Sequence, residues 1–217
     1  MAEDPDVMKV LRDAGAIITD SHIVYTSGRH GNAYVNKDAL YVHPVSTALL
    51  CKKMAAPYEA EKVDVVAGPT VGGVILSQWV AYYLNQSRSS GETLSIYAEE
   101  EIKGEEKNRI FKRGYDKQIP GKNVLVVEDV VTTGGSARKV IEAIRALGGN
   151  VIGLSVLCNR GGIKAADVGG VPIQALTNVT LDSYEASDCP LCQKNVPINT
   201  SVGKGKEFLT KQGQPVS

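Results

Sequence analysis

The stretch Val124-Leu-Val-Val-Glu-Asp-Val-Val-Thr-Thr-Gly-Gly-Ser136 decides the fold of this chain. It begins with an apolar, β-branched run at 124–127, which is typical of a strand buried on both faces of a parallel sheet. Behind the loop, apolar residues recur at helical spacing over 140–147, and Gly148-Gly149 supplies a helix stop. This order of strand, polar loop and helix predicts an α/β fold with a mainly parallel, twisted sheet flanked by helices.

The loop of this stretch has the properties of a phosphate site. A small, Gly-containing loop at a helix N-terminus leaves backbone N–H groups unpaired, and the helix dipole adds partial positive charge there. Glu128 and Asp129 stand at the carboxyl end of the strand, where ligands bind in open α/β sheets. Two carboxylates would repel phosphate unless they bound sugar hydroxyls or a metal ion. The combination therefore predicts a sugar phosphate ligand.

Length and charge narrow the function classes. A chain of 217 residues is long enough for one α/β domain, and its 24 basic residues balance its 24 acidic residues. It therefore lacks the overall basic field of nucleic-acid binders. No apolar run approaches the ~20 residues that span a membrane, and the acidic N-terminus has no signal-peptide pattern. We expect a cytoplasmic protein with neither a nucleic-acid nor a membrane partner.

A second strand, loop and helix precede the first. The buried-strand pattern at 63–67 leads into Gly68-Pro69-Thr70-Val71-Gly72-Gly73, and a helix is predicted over 74–84. Two such loops in one sheet predict two phosphate sites, one for a 5′-phosphate and one for pyrophosphate. Further elements are predicted as a helix from Pro44 to about residue 57 and strands at 94–98, 151–157 and 171–176.

Residues 124–136 resemble the phosphoribosyl pyrophosphate signature of the type I phosphoribosyltransferases. The resemblance implies the fold of that family and a Mg²⁺ cofactor that is carried by the substrate, with no metal held by the protein itself. It also implies that 132–136 bind the 5′-phosphate, that Glu128 and Asp129 bind ribose hydroxyls, and that 68–73 bind pyrophosphate. The residues assigned to phosphoribosyl pyrophosphate are Gly68, Pro69, Thr70, Gly72, Gly73, Glu128, Asp129, Val130, Val131, Thr132, Thr133, Gly134, Gly135 and Ser136, and Asp129 is also assigned to catalysis.

The N-terminal region is similar to the base-covering hood of the orotate phosphoribosyltransferases, through Tyr25-Thr-Ser-Gly-Arg-His-Gly-Asn-Ala-Tyr34. Here we predict a hairpin of the runs 23–26 and 33–37, with His30 in its turn. A single phosphoribosyltransferase domain over 1–217 would then comprise a hood at about 1–43, a core at about 44–180 and a tail at about 181–217.

Arg160 follows the strand that comes after the signature. An arginine at this end of a neighbouring strand faces the ligand crevice, and its planar fork matches a carboxylate. In the orotate phosphoribosyltransferases an arginine at this place binds the orotate carboxylate, and Arg160 aligns with it; Thr132 is assigned to orotate by the same resemblance. The alternative is a structural arginine that pairs with a neighbouring acid.

The charged stretch 99–117 reads as a long irregular segment, and such segments beside active sites are often lids. The family has a mobile catalytic loop here that reaches across a dimer interface to pyrophosphate, which implies a homodimer with a shared active site. Lys103, Lys107 and Arg109 are the candidate catalytic cations. Many relatives place a basic residue where this chain has the glutamates 99–101.

The resemblance implies transfer of the ribosyl 5-phosphate group from phosphoribosyl pyrophosphate to orotate, giving orotidine 5′-phosphate and pyrophosphate in pyrimidine nucleotide biosynthesis. A phosphoribosyltransferase for a purine base would keep the same sugar-phosphate residues but would not need Arg160. A non-catalytic regulator that binds phosphoribosyl pyrophosphate is the second alternative, because of the glutamates at 99–101.

The tail is predicted as loop or frayed end, and it contains Cys189-Pro-Leu-Cys192. Such a motif can be half of a zinc site, a redox pair or a plain turn. A four-ligand zinc site needs a second pair of ligands, and no second pair follows, which favours the turn. Cys51 and Cys158 are predicted as buried thiols.

Overall fold

A computed structural model describes residues 5–179 and 181–213 and divides the chain into two compact units. One unit comprises Met1–Val7 and His43–Val179, and the other comprises Met8–Val42 and Thr180–Ser217. The predicted hood and tail therefore share a unit. Residues 1–4, 180 and 214–217, which the predicted hood, core and tail include, lie outside the described residues.

The described residues form seven α-helices and ten strands. The helices are α1 (Pro5–Asp13), α2 (Lys37–Tyr41), α3 (Pro44–Ala55), α4 (Gly72–Ser87), α5 (Gly135–Ala146), α6 (Pro190–Gln193) and α7 (Gly205–Lys211). The strands are β1 (Ile17–Ile18), β2 (Ile23–Val24), β3 (His30–Gly31), β4 (Tyr34–Val35), β5 (Val65–Pro69), β6 (Leu94–Lys103), β7 (Glu106–Ile110), β8 (Asn123–Val131), β9 (Asn150–Asn159) and β10 (Ile173–Asn178). Within these described ranges, no helix combines the length and apolar character needed to cross a bilayer.

The larger unit is built on a six-stranded sheet in the order β10-β9-β8-β5-β6-β7. All neighbours are parallel except β7, which runs antiparallel to β6. The run 124–127 lies in β8 and each of its residues is 0% exposed, so the buried central strand is confirmed. The mainly parallel α/β fold predicted from this run is therefore correct.

The charged segment 99–117 is largely a β-hairpin, so its prediction as an irregular segment was wrong. β6 continues past residue 98 to Lys103, and β7 pairs back onto it with Ile102 opposite Lys107. Most side chains of the hairpin are exposed or half-buried. Because the ladder satisfies the backbone while the charged side chains stay in water, composition alone gave no strand signal.

The N-terminal strands pair differently from the prediction. β2 pairs with β3, whereas β4 pairs with β1, so the runs 23–26 and 33–37 do not form one hairpin. The turn is tighter than expected, because the Tyr25 N–H donates to the Arg29 carbonyl (2.8 Å). His30 consequently lies in β3, at 0% exposure, and not in a turn.

The tail is ordered into short helices, which corrects the loop prediction. Its segments are held by backbone hydrogen bonds to the N-terminal strands: Asn199 N–H donates to the His22 carbonyl (2.8 Å), and Lys204 N–H donates to the Val24 carbonyl (2.7 Å). Because these partners lie far away in the sequence, no local pattern could reveal the order.

Two buried tyrosines make a matched stability test. Tyr25 is 6% exposed and its hydroxyl donates to the Ala33 carbonyl (2.8 Å). Tyr58 is 7% exposed, and its hydroxyl has no hydrogen-bond partner among the described residues; burial raises the pKa of Tyr58 to about 12.

We expect Tyr25→Phe to lower the free energy of unfolding by about 1 kcal/mol, because it deletes a satisfied buried hydrogen bond. Tyr58→Phe should leave stability unchanged or raise it, since it removes only an unsatisfied hydroxyl. Urea unfolding of both variants measures the difference. An equal loss in the two variants would contradict this reading.

Candidate active site

An acidic pair lies at the carboxyl end of the central strand. β8 carries Glu128 and Asp129 beyond the apolar run, and they are 7% and 4% exposed. The Val130 N–H donates to Asp129 Oδ1 (2.7 Å), and the Asp129 N–H donates to Glu128 Oε1 (3.3 Å). Because buried carboxylates are costly without donors, these backbone groups hold the pair at the sheet edge.

The loop that follows forms a small cavity at the start of α5. This cavity of about 170 Å³ is lined by Glu128 and by residues from Val130 to Ala137. Gly134 precedes the helix with φ of 74°, a conformation that glycine adopts readily, and it has no side chain to cap the first turn. The N–H groups of that turn and the positive end of the helix dipole therefore suit an oxygen-rich anion.

Arg160 is held against this loop by the backbone. Its N–H and that of Gly161 both donate to the Val131 carbonyl, at 2.9 and 3.2 Å. A Cβ atom on Gly161 would lie 1.7 Å from the Thr132 carbonyl oxygen, so only glycine allows this approach. The structure therefore brings the predicted arginine next to the predicted phosphate loop.

Asn159 was not singled out from the sequence, yet it braces the segment that carries Arg160. It is 7% exposed, its Nδ2 donates to the Ile163 carbonyl (2.9 Å), and its Oδ1 accepts from the Ile163 N–H (2.9 Å). This pair of bonds closes a turn around Arg160. The sequence signal that could have identified Asn159 was its position directly before Arg160, at the end of a strand.

The second predicted loop leaves the same edge of the sheet, since β5 and β8 are parallel neighbours. Gly68 and Gly73 pack backbone against backbone, because a Cβ atom on Gly73 would lie 2.6 Å from the Gly68 carbonyl carbon. The Thr70 N–H donates to the Ala98 carbonyl (2.9 Å), and the Thr70–Val71 peptide bond is cis. The loop is thus fixed between β5, β6 and α4.

Of the three candidate lid cations, Arg109 contacts this second loop. Its Nη1 donates to Thr70 Oγ1 (3.1 Å) and to the Thr70 carbonyl (3.3 Å). Lys103 and Lys107 instead pair with glutamates of their own hairpin. These pairs are Lys103–Glu101 at 2.9 Å and Lys107–Glu100 at 3.5 Å.

The third glutamate of the run 99–101, Glu99, also pairs with a cation. Arg113 Nε lies 2.7 Å from Glu99 Oε1, and this hydrogen bond raises the pKa of Arg113. The glutamates at 99–101, which looked out of place in the sequence, therefore each pair with a cation of the segment.

Comparisons with known proteins show the family of the chain. A family model described as "Phosphoribosyl transferase domain" matches residues 38–171, which is more than half of the chain. That match includes both loops, the acidic pair, the hairpin and Arg160. The chain therefore has the fold of a phosphoribosyltransferase domain and belongs to that family.

Individual relatives show which phosphoribosyltransferases the chain is similar to. The chain is 38% identical over 194 residues to the orotate phosphoribosyltransferase of Pelotomaculum thermopropionicum, covering 88% of this chain and 93% of the relative. It is 36% identical over 201 residues to that of Thermotoga maritima, covering 92% and 98%. The crystal structure of orotate phosphoribosyltransferase from Aeropyrum pernix superposes with a TM-score of 0.63 at 25% identity, covering 79% of this chain and 93% of that one. The chain therefore belongs to the orotate phosphoribosyltransferase family.

Proposed function

We propose that the chain transfers the ribosyl 5-phosphate group from phosphoribosyl pyrophosphate to N1 of orotate, giving orotidine 5′-phosphate and pyrophosphate for pyrimidine nucleotide biosynthesis. One observation carries this proposal. The Val131 carbonyl accepts hydrogen bonds from the Arg160 and Gly161 N–H groups, so the side chain proposed to bind the orotate carboxylate begins next to the loop proposed to bind the 5′-phosphate. An acid pair for ribose hydroxyls precedes the same loop.

The residues divide the substrate between them. In this proposal the loop from Thr132 to Ser136 holds the 5′-phosphate, and Glu128 and Asp129 accept hydrogen bonds from ribose hydroxyls. Displacement at the anomeric carbon builds positive charge on the sugar, which the nearby carboxylates stabilise. No protein nucleophile is needed, because catalysis consists mainly of holding two anionic reactants in line.

Mg²⁺ fits this site as an ion that arrives with the substrate. Glu128 and Asp129 offer hard oxygen donors of the kind Mg²⁺ prefers, and Mg²⁺ is commonly bound by one or two carboxylates together with substrate phosphates. We therefore assign the ion to the diphosphate and not to a protein cage. When bound, Mg²⁺ neutralises charge on the departing pyrophosphate.

Arg109 is the lid cation that we assign to pyrophosphate. It already contacts Thr70 in the 68–73 loop, for which we propose pyrophosphate binding through backbone N–H groups and Thr70 itself. Lys103 and Lys107 have side chains that are 73% and 64% exposed, and their ion pairs with glutamates are of the kind that contribute about 0–1 kcal/mol. Because these pairs are weak, Lys103 and Lys107 can exchange their glutamate partners for pyrophosphate when the lid moves. The pairs do not, however, hold either lysine at the 68–73 loop.

We also propose a homodimer with a shared active site, located in the cytoplasm. An apolar groove of about 520 Å³ between α3 and α4 supports an interface. Its rim carries large exposed side chains, with Val45 at 83%, Tyr82 at 49% and Leu49 at 44% exposure. Clusters of this kind on a protein surface often mark contacts with another chain.

The activity itself is tested by following pyrophosphate release from phosphoribosyl pyrophosphate and Mg²⁺ with orotate, uracil, hypoxanthine or adenine. We expect turnover with orotate alone. Turnover with a purine base would favour the purine enzyme, and binding of phosphoribosyl pyrophosphate without turnover of any base would favour a regulator.

Arg160→Ala should lower kcat/KM for orotate about 10- to 100-fold, because a hydrogen bond to a charged group contributes about 1.5–3 kcal/mol. Arg160→Lys should recover only part of this loss, since an ammonium group cannot bind a carboxylate with a planar fork. Equilibrium binding of phosphoribosyl pyrophosphate, measured by calorimetry, should be unchanged in both variants. Full activity of Arg160→Ala would remove the assignment of this residue to the base.

Asp129→Asn should lower kcat on the order of 100-fold while changing the thermal midpoint little. The amide oxygen can still accept the hydrogen bond from the Val130 N–H, but the negative charge beside the ribose is lost. Steady-state kinetics and thermal unfolding of the same preparation separate the two effects. A loss of activity that merely follows a loss of folded protein would count against the catalytic role.

Arg109→Ala should raise KM for phosphoribosyl pyrophosphate about tenfold, because it removes a cation held at the pyrophosphate loop. Lys103→Ala is the matched control from the same hairpin, and its effect should be several-fold smaller. The KM values of both variants decide this prediction. A larger effect at Lys103 would transfer the assignment to that residue.

A further inference from the structure

Four potential metal ligands converge in the smaller unit, which contains none of the residues assigned to the reaction. They are His22, His30, Cys189 and Cys192, and their ligand atoms all lie within 4.8 Å of one another. His22 Nε2 lies 2.9 Å from His30 Nδ1, and Cys192 Sγ lies 3.3 Å from the same His30 nitrogen. Cys189 Sγ and Cys192 Sγ lie 3.7 and 3.6 Å from His22 Nε2.

We propose that these four side chains bind one zinc ion, in a site that is separate from the proposed reaction. A tetrahedral zinc ion with Zn–N of about 2.1 Å and Zn–S of about 2.3 Å separates its ligand atoms by roughly 3.4 to 3.8 Å. Four of the six ligand separations, from 2.9 to 3.7 Å, are close to those edges, and all six are within 4.8 Å. Small side-chain adjustments therefore suffice to admit the ion.

The ring of His22 is already oriented as a ligand. Its Nδ1 lies 2.7 Å from the Val196 carbonyl, and a carbonyl can only accept, so Nδ1 carries the proton. The lone pair of Nε2 consequently faces His30 and both cysteines. A backbone carbonyl that fixes the outer nitrogen of a histidine is the usual support of a zinc ligand.

Charge and burial also favour a metal. His22, His30 and Cys189 are at most 1% exposed, and neither Cys189 nor Cys192 is in a disulfide. On binding, each thiol releases one proton to solvent, and the two thiolates neutralise the 2+ charge of the ion. The buried complex is therefore electrically neutral. Two sulfur and two imidazole ligands in a tetrahedral arrangement are typical of zinc.

The site would be structural, because all four positions are filled by protein. It would join the segment around β2 and β3, through His22 just before β2 and His30 in β3, to the tail, which is remote in sequence. Backbone hydrogen bonds already connect them, from His30 N–H to the Tyr184 carbonyl (2.8 Å) and from Asn199 N–H to the His22 carbonyl (2.8 Å). Strands of two residues form few backbone hydrogen bonds with each other, so a metal cross-link would add stability to this pair of strands.

The sequence favoured a plain turn at Cys189 and Cys192 because no second pair of ligands follows Cys192. The pair lies instead about 170 residues earlier, as the sequence separations of 167 and 170 between His22 and the two cysteines show. Two histidines eight residues apart carried no zinc signal by themselves.

The test is to purify the full chain without chelator and to measure its metal content by inductively coupled plasma mass spectrometry. We expect close to one zinc per chain. After removal of zinc, Co²⁺ should give the ligand-field bands of a tetrahedral site and a thiolate-to-cobalt charge-transfer band. Chelation of zinc should lower the thermal midpoint, and added zinc should restore it.

Variants separate the cluster from other thiols. Cys192→Ser, at the half-exposed ligand, should lose most of the zinc, whereas Cys51→Ala, a buried cysteine of α3, should keep it. If Cys192→Ser fails to fold, the metal content and cobalt spectrum of the unaltered chain still decide the matter. The proposal would be overturned if the reduced, folded chain contained no zinc and also gave no cobalt spectrum. A Cys189–Cys192 disulfide in the chain as purified would overturn it as well.

Discussion

The site depends on one backbone acceptor, the carbonyl of Val131 at the end of the central strand. By accepting from the N–H groups of both Arg160 and Gly161, it fixes the end of β9 against the loop that follows β8. The missing side chain at Gly161 lets the two segments approach this closely. A helix start that suits an anion and an arginine that suits a carboxylate are thereby held on rigid strands, which favours accurate positioning of the two proposed reactants.

The rest of the larger unit supports this edge in two ways. The buried β8 run and its parallel neighbours supply a stiff core, and the backbone contact of Gly68 with Gly73 fixes the second loop beside it. The hairpin of β6 and β7 differs from this core, because its lysines Lys103 and Lys107 are exposed and paired with glutamates. Arg109 connects the two regions through Thr70, and the Lys107 carbonyl of the hairpin accepts a hydrogen bond from the Lys139 side chain of α5.

The sequence predicted those strands, helices and loops that are indicated by residue patterns within a short stretch of chain. The apolar run 124–127, the acidic pair and both Gly-containing loops have signals within a few residues, and the strands and helices around them lie where expected, with ends shifted by a few residues. It did not predict β7, because a solvated charged strand lacks an apolar pattern. It also missed the pairing of β1 with β4, the helices of the tail and the meeting of His22 with Cys189, since these depend on contacts between remote segments.

The most direct test of the central claim is a crystal structure of the chain with phosphoribosyl pyrophosphate and orotate bound. We expect the 5′-phosphate on the N–H groups at the start of α5, the ribose hydroxyls on Glu128 and Asp129, and the orotate carboxylate on the guanidinium of Arg160. A 5′-phosphate seated in the 68–73 loop, or a base turned away from Arg160, would contradict the assignment of the site.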